Sequence, residues 1–172
     1  GNADDRFDFY HRIETKMPFD LDYFNRITNG GVPNKTLNII LAGTGVGKSL
    51  FMCHHAAACF AANKNVLYIT LEMAEERIAE RIDANLMDIT LDELKNLPKV
   101  SYDKKIGRVL ENIQSKLIVK EYPTATANVQ HFRHLLDELK LKRNFKPDII
   151  FIDYLNICTS SRLKSGSNIN TY

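Results

Sequence analysis

Residues 42–49 read A-G-T-G-V-G-K-S, and the chain passes through them from an apolar stretch at 37–41 into a second apolar stretch that begins near Lys48. A strand, a glycine-rich turn and a helix in that order leave few folds open, because the turn must let backbone N–H groups converge on an anion. Gly43, Gly45 and Gly47 let the chain wrap closely around such a group where a Cβ would obstruct it. The pattern predicts a phosphate-binding loop made by Ala42, Gly43, Thr44, Gly45, Val46, Gly47, Lys48 and Ser49. Lys48 is then placed to reach the β- and γ-oxygens of a nucleoside triphosphate, and Ser49 to ligate Mg²⁺. Ala42 stands where the strict pattern has glycine, and a residue that small still leaves room for the turn.

The flanking sequence predicts an α/β fold. Short apolar runs at 66–70, 117–119 and 149–152 join 37–41 as four strands, each separated from the next by helical patterning. Strands that are apolar throughout, without alternation, belong to a mostly parallel sheet with helices on both faces. Helices are expected at 20–28, 49–62, 74–87, 101–114 and 129–141, and Thr90 with Glu93 makes a capping pair for a further short one. Residues 1–16 read as a linker or docking arm. After Cys158 the chain turns polar, so 161–172 reads as the start of a flexible basic loop, and the core at 17–160 as one cut short at its C-terminal side.

Composition narrows the class without naming a partner. A formal net charge of +2 over 172 residues is too small to imply nucleic acid by itself. Cys53, Cys59 and Cys158 lie in apolar segments and read as buried free thiols, with no disulfide or zinc framework. No apolar run is long enough to span a bilayer and residues 1–16 are too acidic for a signal peptide, which points to a reducing, cytoplasmic setting and no membrane partner.

Two carboxylates stand where chemistry on a triphosphate needs them. The run Ile149-Ile150-Phe151-Ile152-Asp153 puts an acid at the C-terminal end of a buried strand, the edge where open parallel sheets bind ligands. Asp153 there would hold Mg²⁺ through water, with Ser49 as direct ligand. Glu72 follows the strand at 66–70 and emerges at the same edge, either to orient and deprotonate an attacking water or to sit near the N-terminus of the next helix and interact with its dipole. His54 and His55 are adjacent and point to different faces, one packed and one exposed. His131 and His134 lack a third ligand and read as a solvated face. Lys140, Lys142, Arg143 and Lys146 suit a solvated helix end, whereas Arg162 and Lys164 form a basic loop able to meet single-stranded nucleic acid through its phosphates.

Taken together, residues 42–49, Leu71-Glu72-Met73 and Ile152-Asp153-Tyr154-Leu155-Asn156 resemble the ATPase domain of DnaB-type hexameric replicative helicases, in particular the branch found in T4-like bacteriophages. Alanine at the loop's first position, a glutamate–methionine pair after the second strand and an aspartate–tyrosine pair after the metal-site strand all match that family. So do the paired glycines Gly30 and Gly31 that close the helix ahead of the core. The resemblance implies a RecA-like core, ATP and Mg²⁺ as cofactors, Glu72 as the base and Lys48 as the phosphoryl-neutralising cation. It also implies 5′ to 3′ movement on single-stranded DNA by a homohexamer, with primase and a helicase loader as partners. The family's sensor glutamine, arginine finger and main DNA-binding loops would lie beyond residue 172, so the fragment alone is expected to have little or no ATPase activity. A RecA-like recombination ATPase and a non-hydrolysing nucleotide-dependent assembly module are the alternatives.

Overall fold

The computed structural model describes residues 2–11, 15–154 and 158. Its centre is a three-stranded parallel sheet of β3 (Val66–Thr70), β4 (Leu117–Glu121) and β5 (Ile149–Asp153), in the order β4-β3-β5. Val66 is level with both Leu117 and Ile149, and Thr70 with both Glu121 and Asp153, so all three strands end at one edge.

Strand periodicity sorts the side chains onto two faces. Val66, Tyr68 and Phe151 point to one face, where they meet Met52, Cys53, Ala56 and Cys59 of α3 (Lys48–Ala61) and Ile78 and Ile82 of α4 (Glu75–Met87). Leu67 and Ile69 point to the other face and pack on Leu135 and Leu139 of α7 (Val129–Arg143), with Phe145 closing the layer. Helices therefore cover both faces, as the unalternated strands predict. The small side chains of α3 let it lie close on the sheet.

Before the core, α1 (Ala3–Tyr10) has no buried residue. An antiparallel pair not foreseen from sequence, β1 (Lys16–Met17) with β2 (Val32–Pro33), clasps α2 (Asp22–Ile27). Gly31 is required there: a Cβ would lie 2.0 Å from the Met17 carbonyl oxygen, and φ is +118°. Phe19 and Phe24 then pack against Phe51 in tilted contacts, with ring centroids 5.9 and 5.1 Å away, and fasten this clasp to α3.

The expected strand at 37–41 does not form. Leu37, Ile39 and Leu41 are 85, 77 and 95% exposed, and no described segment pairs with them. Apolar content favours a sheet, but a strand exists only where a neighbour takes up its N–H and C=O groups. Here the local bonds are from Asn38 to the Thr36 hydroxyl (2.9 Å) and from that hydroxyl to the Pro33 carbonyl (2.7 Å).

Beyond α4 and packed against it, α5 (Leu91–Asn96) opens on Thr90, whose hydroxyl accepts from the Glu93 N–H while the Glu93 carboxylate accepts from the Thr90 N–H. α6 (Lys99–Leu110) follows and packs against α4, where Tyr102 donates to Asp83 at 3.1 Å. Among the described residues, no helix is long and apolar enough to cross a membrane.

Candidate functional site

The 42–49 loop opens α3 at the edge where β3 and β5 end. Gly45 (φ +77°) and Gly47 (φ +106°) adopt backbone that L side chains rarely take, and Gly47 is the N-cap of α3. An added Cβ at either would meet nothing within 4 Å, so conformation rather than crowding demands glycine there. Gly43 is in ordinary backbone and its Cβ would meet Val46 at 3.5 Å. Among the described residues, the N–H groups of Gly45, Gly47, Lys48 and Ser49 have no acceptor. Unpaired N–H groups at a helix N-terminus carry the positive end of its dipole, which suits an anion.

The period-two alternation of β5 puts Asp153 on the same sheet face as Phe151, the face that α3 covers. Asp153 is 1% exposed. Its Oδ2 accepts a 3.0 Å hydrogen bond from the Tyr68 hydroxyl, which in turn lies 3.9 Å from Cys53 Sγ. Burial, then the neighbouring Cys53 and Asp153, push the Tyr68 phenol far above its ordinary range, so it stays a donor. Burial likewise raises the Cys53 thiol to about 11. Asp153 Oδ1 is buried with no hydrogen-bond partner among the described residues. A buried carboxylate oxygen left open is costly unless something absent here, such as a hard cation or its water, meets it. Among the described residues, no three His, Cys, Asp or Glu side chains form a cage.

Lys48 Nζ lies 4.2 Å from the centroid of the Tyr154 ring, directly after Asp153. The lysine of the glycine-rich loop and the acid of β5 are thus brought into one neighbourhood. Ser49, half-buried, is the second residue of α3.

Glu72 sits at the same edge, exposed and without a hydrogen bond or ion pair to any described residue. Its backbone, in contrast, is held on both sides. Leu71 donates to the Asp153 carbonyl (2.8 Å) and accepts from the Thr124 hydroxyl (2.9 Å). The buried Thr70 hydroxyl donates to the Met73 carbonyl (2.7 Å) and accepts from its N–H (3.1 Å). The N-terminus of α4 takes its carboxylate from elsewhere: Glu121, at the end of β4, accepts from the Glu75 N–H at 3.1 Å.

Other sequence candidates fall outside this edge. His55 is buried, but His54 is half-buried rather than exposed, its Nδ1 2.9 Å from Asn85 Oδ1, because α4 packs across that side of α3. His131 caps α7, its Nδ1 accepting from the Asn128 N–H at 3.2 Å, and His134 is exposed. Lys140, Lys142, Arg143 and Lys146 are exposed at the C-terminal end of α7, which leads into the start of β5 and so lies at the opposite edge of the sheet. Cys53 and Cys59 are buried thiols, while Cys158 is only partly buried. Arg162 and Lys164 lie outside the described residues. Sequence reasoning missed Tyr68, Thr70, Glu121 and Thr124. The available signal was parity, since Tyr68, Thr70 and Asp153 share a face once the register of β3 and β5 is known.

A glycine-rich loop capping a helix, beside a buried aspartate at the end of a parallel strand, defines the phosphate-loop class of α/β domains. Residues 17–171 match the DnaB-like helicase C terminal domain family, and the chain belongs to it. It is 47% identical over 167 residues to the DnaB-like replicative helicase of Enterobacteria phage T4, an alignment covering 95% of this chain and 35% of that protein. The chain thus spans about a third of the length of that relative. The same fold occurs in an ATPase domain of known structure (TM-score 0.68, 18% identity, covering 96% of this chain and 58% of that one). It recurs in a DnaB-like replicative helicase whose interactions with primase have been described structurally (TM-score 0.66, 19% identity, 98% and 42% covered).

Proposed function

We propose that this domain is the RecA-like motor of a replicative DNA helicase, binding MgATP at residues 42–49 and hydrolysing it by in-line attack of water. The observation that carries the proposal is the pairing of two unlike carboxylates at one sheet edge: Asp153 buried and held, Glu72 exposed and unpaired among the described residues on a clamped backbone. Backbone N–H groups of Gly45, Gly47, Lys48 and Ser49 cradle the phosphates, and Lys48 leaves the Tyr154 ring to neutralise charge on the transferring γ-phosphoryl group. Ser49 would hold Mg²⁺ directly and Asp153 would hold it through water. When bound, the ion offsets the charge that builds on the β- and γ-oxygens. Glu72 orients the attacking water and takes its proton.

Within a longer protein, this chemistry would drive 5′ to 3′ translocation on single-stranded DNA by a homohexamer in the bacterial cytoplasm, that of the host where a phage encodes the protein. Family membership and the 47% identity to the phage T4 protein support this reading. Primase and a helicase loader are the proposed partners, and Arg162 and Lys164 the proposed DNA contacts. The isolated 172-residue chain is expected to bind nucleotide with little turnover; DNA-stimulated hydrolysis by it would contradict that.

The test is steady-state ATPase of the full-length protein with and without single-stranded DNA, comparing wild type with Glu72→Gln. Turnover is expected to fall at least about a hundredfold while ATP affinity stays within about threefold, the signature of a lost base. Unchanged turnover would overturn the mechanism.

A further inference from the structure

We propose that Tyr68 is a positioning residue for Asp153, its hydroxyl securing one carboxylate oxygen so that the other is left to meet the Mg²⁺-bearing site. The proposal rests on the reading of Asp153 as a metal-holding acid. It goes beyond that reading by assigning a role to a side chain that touches neither nucleotide nor ion.

Tyr68 is fully buried in the middle of β3, and its ring stacks on Phe151 with centroids 5.7 Å apart and planes 17° from parallel. Packing of that kind fixes both torsions of the side chain, so the hydroxyl has one place to go. That place is Asp153 Oδ2 at 3.0 Å. The phenol engages one oxygen only, and Oδ1, also buried, has no hydrogen-bond partner among the described residues. Without the phenol, neither oxygen would have a hydrogen-bond partner among the described residues, and the carboxyl plane would lose what fixes its terminal torsion, which is broad for aspartate.

The bond also joins the pieces that must act together. Cys53, 3.9 Å from the Tyr68 hydroxyl, lies on α3 five residues after Lys48; Tyr68 lies on β3 four residues before Glu72; Asp153 ends β5. A buried polar chain from thiol to phenol to carboxylate therefore ties together the three elements that carry Lys48, Glu72 and Asp153. Such chains specify one arrangement where apolar contacts alone tolerate several.

The experiment titrates Mg²⁺ into the full-length protein with a fluorescent, non-hydrolysable ATP analogue, and repeats the analogue titration in EDTA. For Tyr68→Phe, nearly identical in shape, the apparent Mg²⁺ affinity is expected to weaken about tenfold, the lower end of what one hydrogen bond to a charged group is worth. Analogue affinity in EDTA should not change. Phe151→Leu loosens the same stack but keeps the hydroxyl, and should lower the melting temperature while shifting the Mg²⁺ titration clearly less than Tyr68→Phe does. A Tyr68→Phe protein that titrates like wild type, or a Phe151→Leu shift equal to that of Tyr68→Phe, overturns the inference. Asp153→Asn separates the two levels. Loss of Mg²⁺ dependence there with none in Tyr68→Phe removes only the role of Tyr68, whereas an unaffected Asp153→Asn removes the metal role of Asp153 itself.

Discussion

His55 should make the stability of this domain fall as the solution is acidified through the histidine range, by an amount that follows from where the ring is buried. It lies on α3, 3% exposed, among Phe19, Phe51 and Phe151 with centroids 4.4, 6.4 and 5.4 Å away. Desolvation lowers its pKa from 6.5 to about 4, against a hydrogen bond to the Pro18 carbonyl that raises it, and with a small lowering from adjacent His54. The folded protein thus prefers the neutral ring, and the unfolded chain takes up the proton first. Stability from this group is intact above about pH 6.5, is lost as pH falls toward 4, and changes little below that. Between about pH 7 and pH 5 the linkage integral amounts to about 2 kcal/mol. That is about 4 to 8 °C in melting temperature for a domain of this size. The assay is urea unfolding at both pH values for wild type and His55→Phe, read as the difference in pH dependence, which cancels the carboxylates common to both. A wild-type pH slope that survives in His55→Phe would show that the ring does not carry the effect.

Three further outcomes follow from local geometry. Gly31→Ala should destabilise by more than about 2 kcal/mol and Gly30→Ala by only about 1, measured by denaturant unfolding, because both have positive φ but only Gly31 would drive its Cβ into the Met17 carbonyl. Thr70→Val keeps shape but removes both bonds to Met73, and should cost about 1 to 3 kcal/mol and slow ATP hydrolysis in the full-length protein, whereas Thr70→Ser should restore both. Gly47→Ala meets no atom within 4 Å, so its cost of about 1 to 2 kcal/mol should be purely conformational and should appear together with weakened nucleotide binding in a titration.

How far the sequence could be read depended on whether the signal was local. Residues 66–70 were recognisable as a buried strand because every side chain is apolar or β-branched, and the structure begins and ends β3 there. The Thr90–Glu93 cap was legible because its two partners are three residues apart. Asn128 and His131 have the same spacing, but the cap they form is not legible in the sequence, since histidine is not the usual third residue of such a cap and His131 reads as part of a solvated face. β1 and β2 are two residues each, too short to show a period. Residues 37–41 read as a strand from their apolar content, yet are exposed and paired with no described segment: pattern reports what a segment would do beside a neighbour, not whether one is there. The bond between Tyr68 and Asp153 spans 85 residues and no spacing rule reaches it.

The two acids of the site differ in a way that their shared position at one sheet edge does not explain. A group that must hold a hydrated cation gains from a fixed plane and a low-dielectric setting, because each degree of freedom it keeps is one that binding must remove. Asp153 has that setting: 1% exposure, a stacked phenol behind it and α3 above it. A group that must take a proton from water and release it again gains from contact with solvent and from a side chain that can move. Glu72 has that setting, exposed and unpaired among the described residues, while hydrogen bonds at Thr70, Leu71 and Met73 limit where its Cα can go. The fold produces the difference by chain position alone, since Asp153 is the last residue within the sheet ladder and Glu72 lies two past it. Moving the β5 carboxylate by one residue would turn its side chain to the opposite face, so the register of β5 against β3 is what keeps Asp153 in its buried setting beside Tyr68.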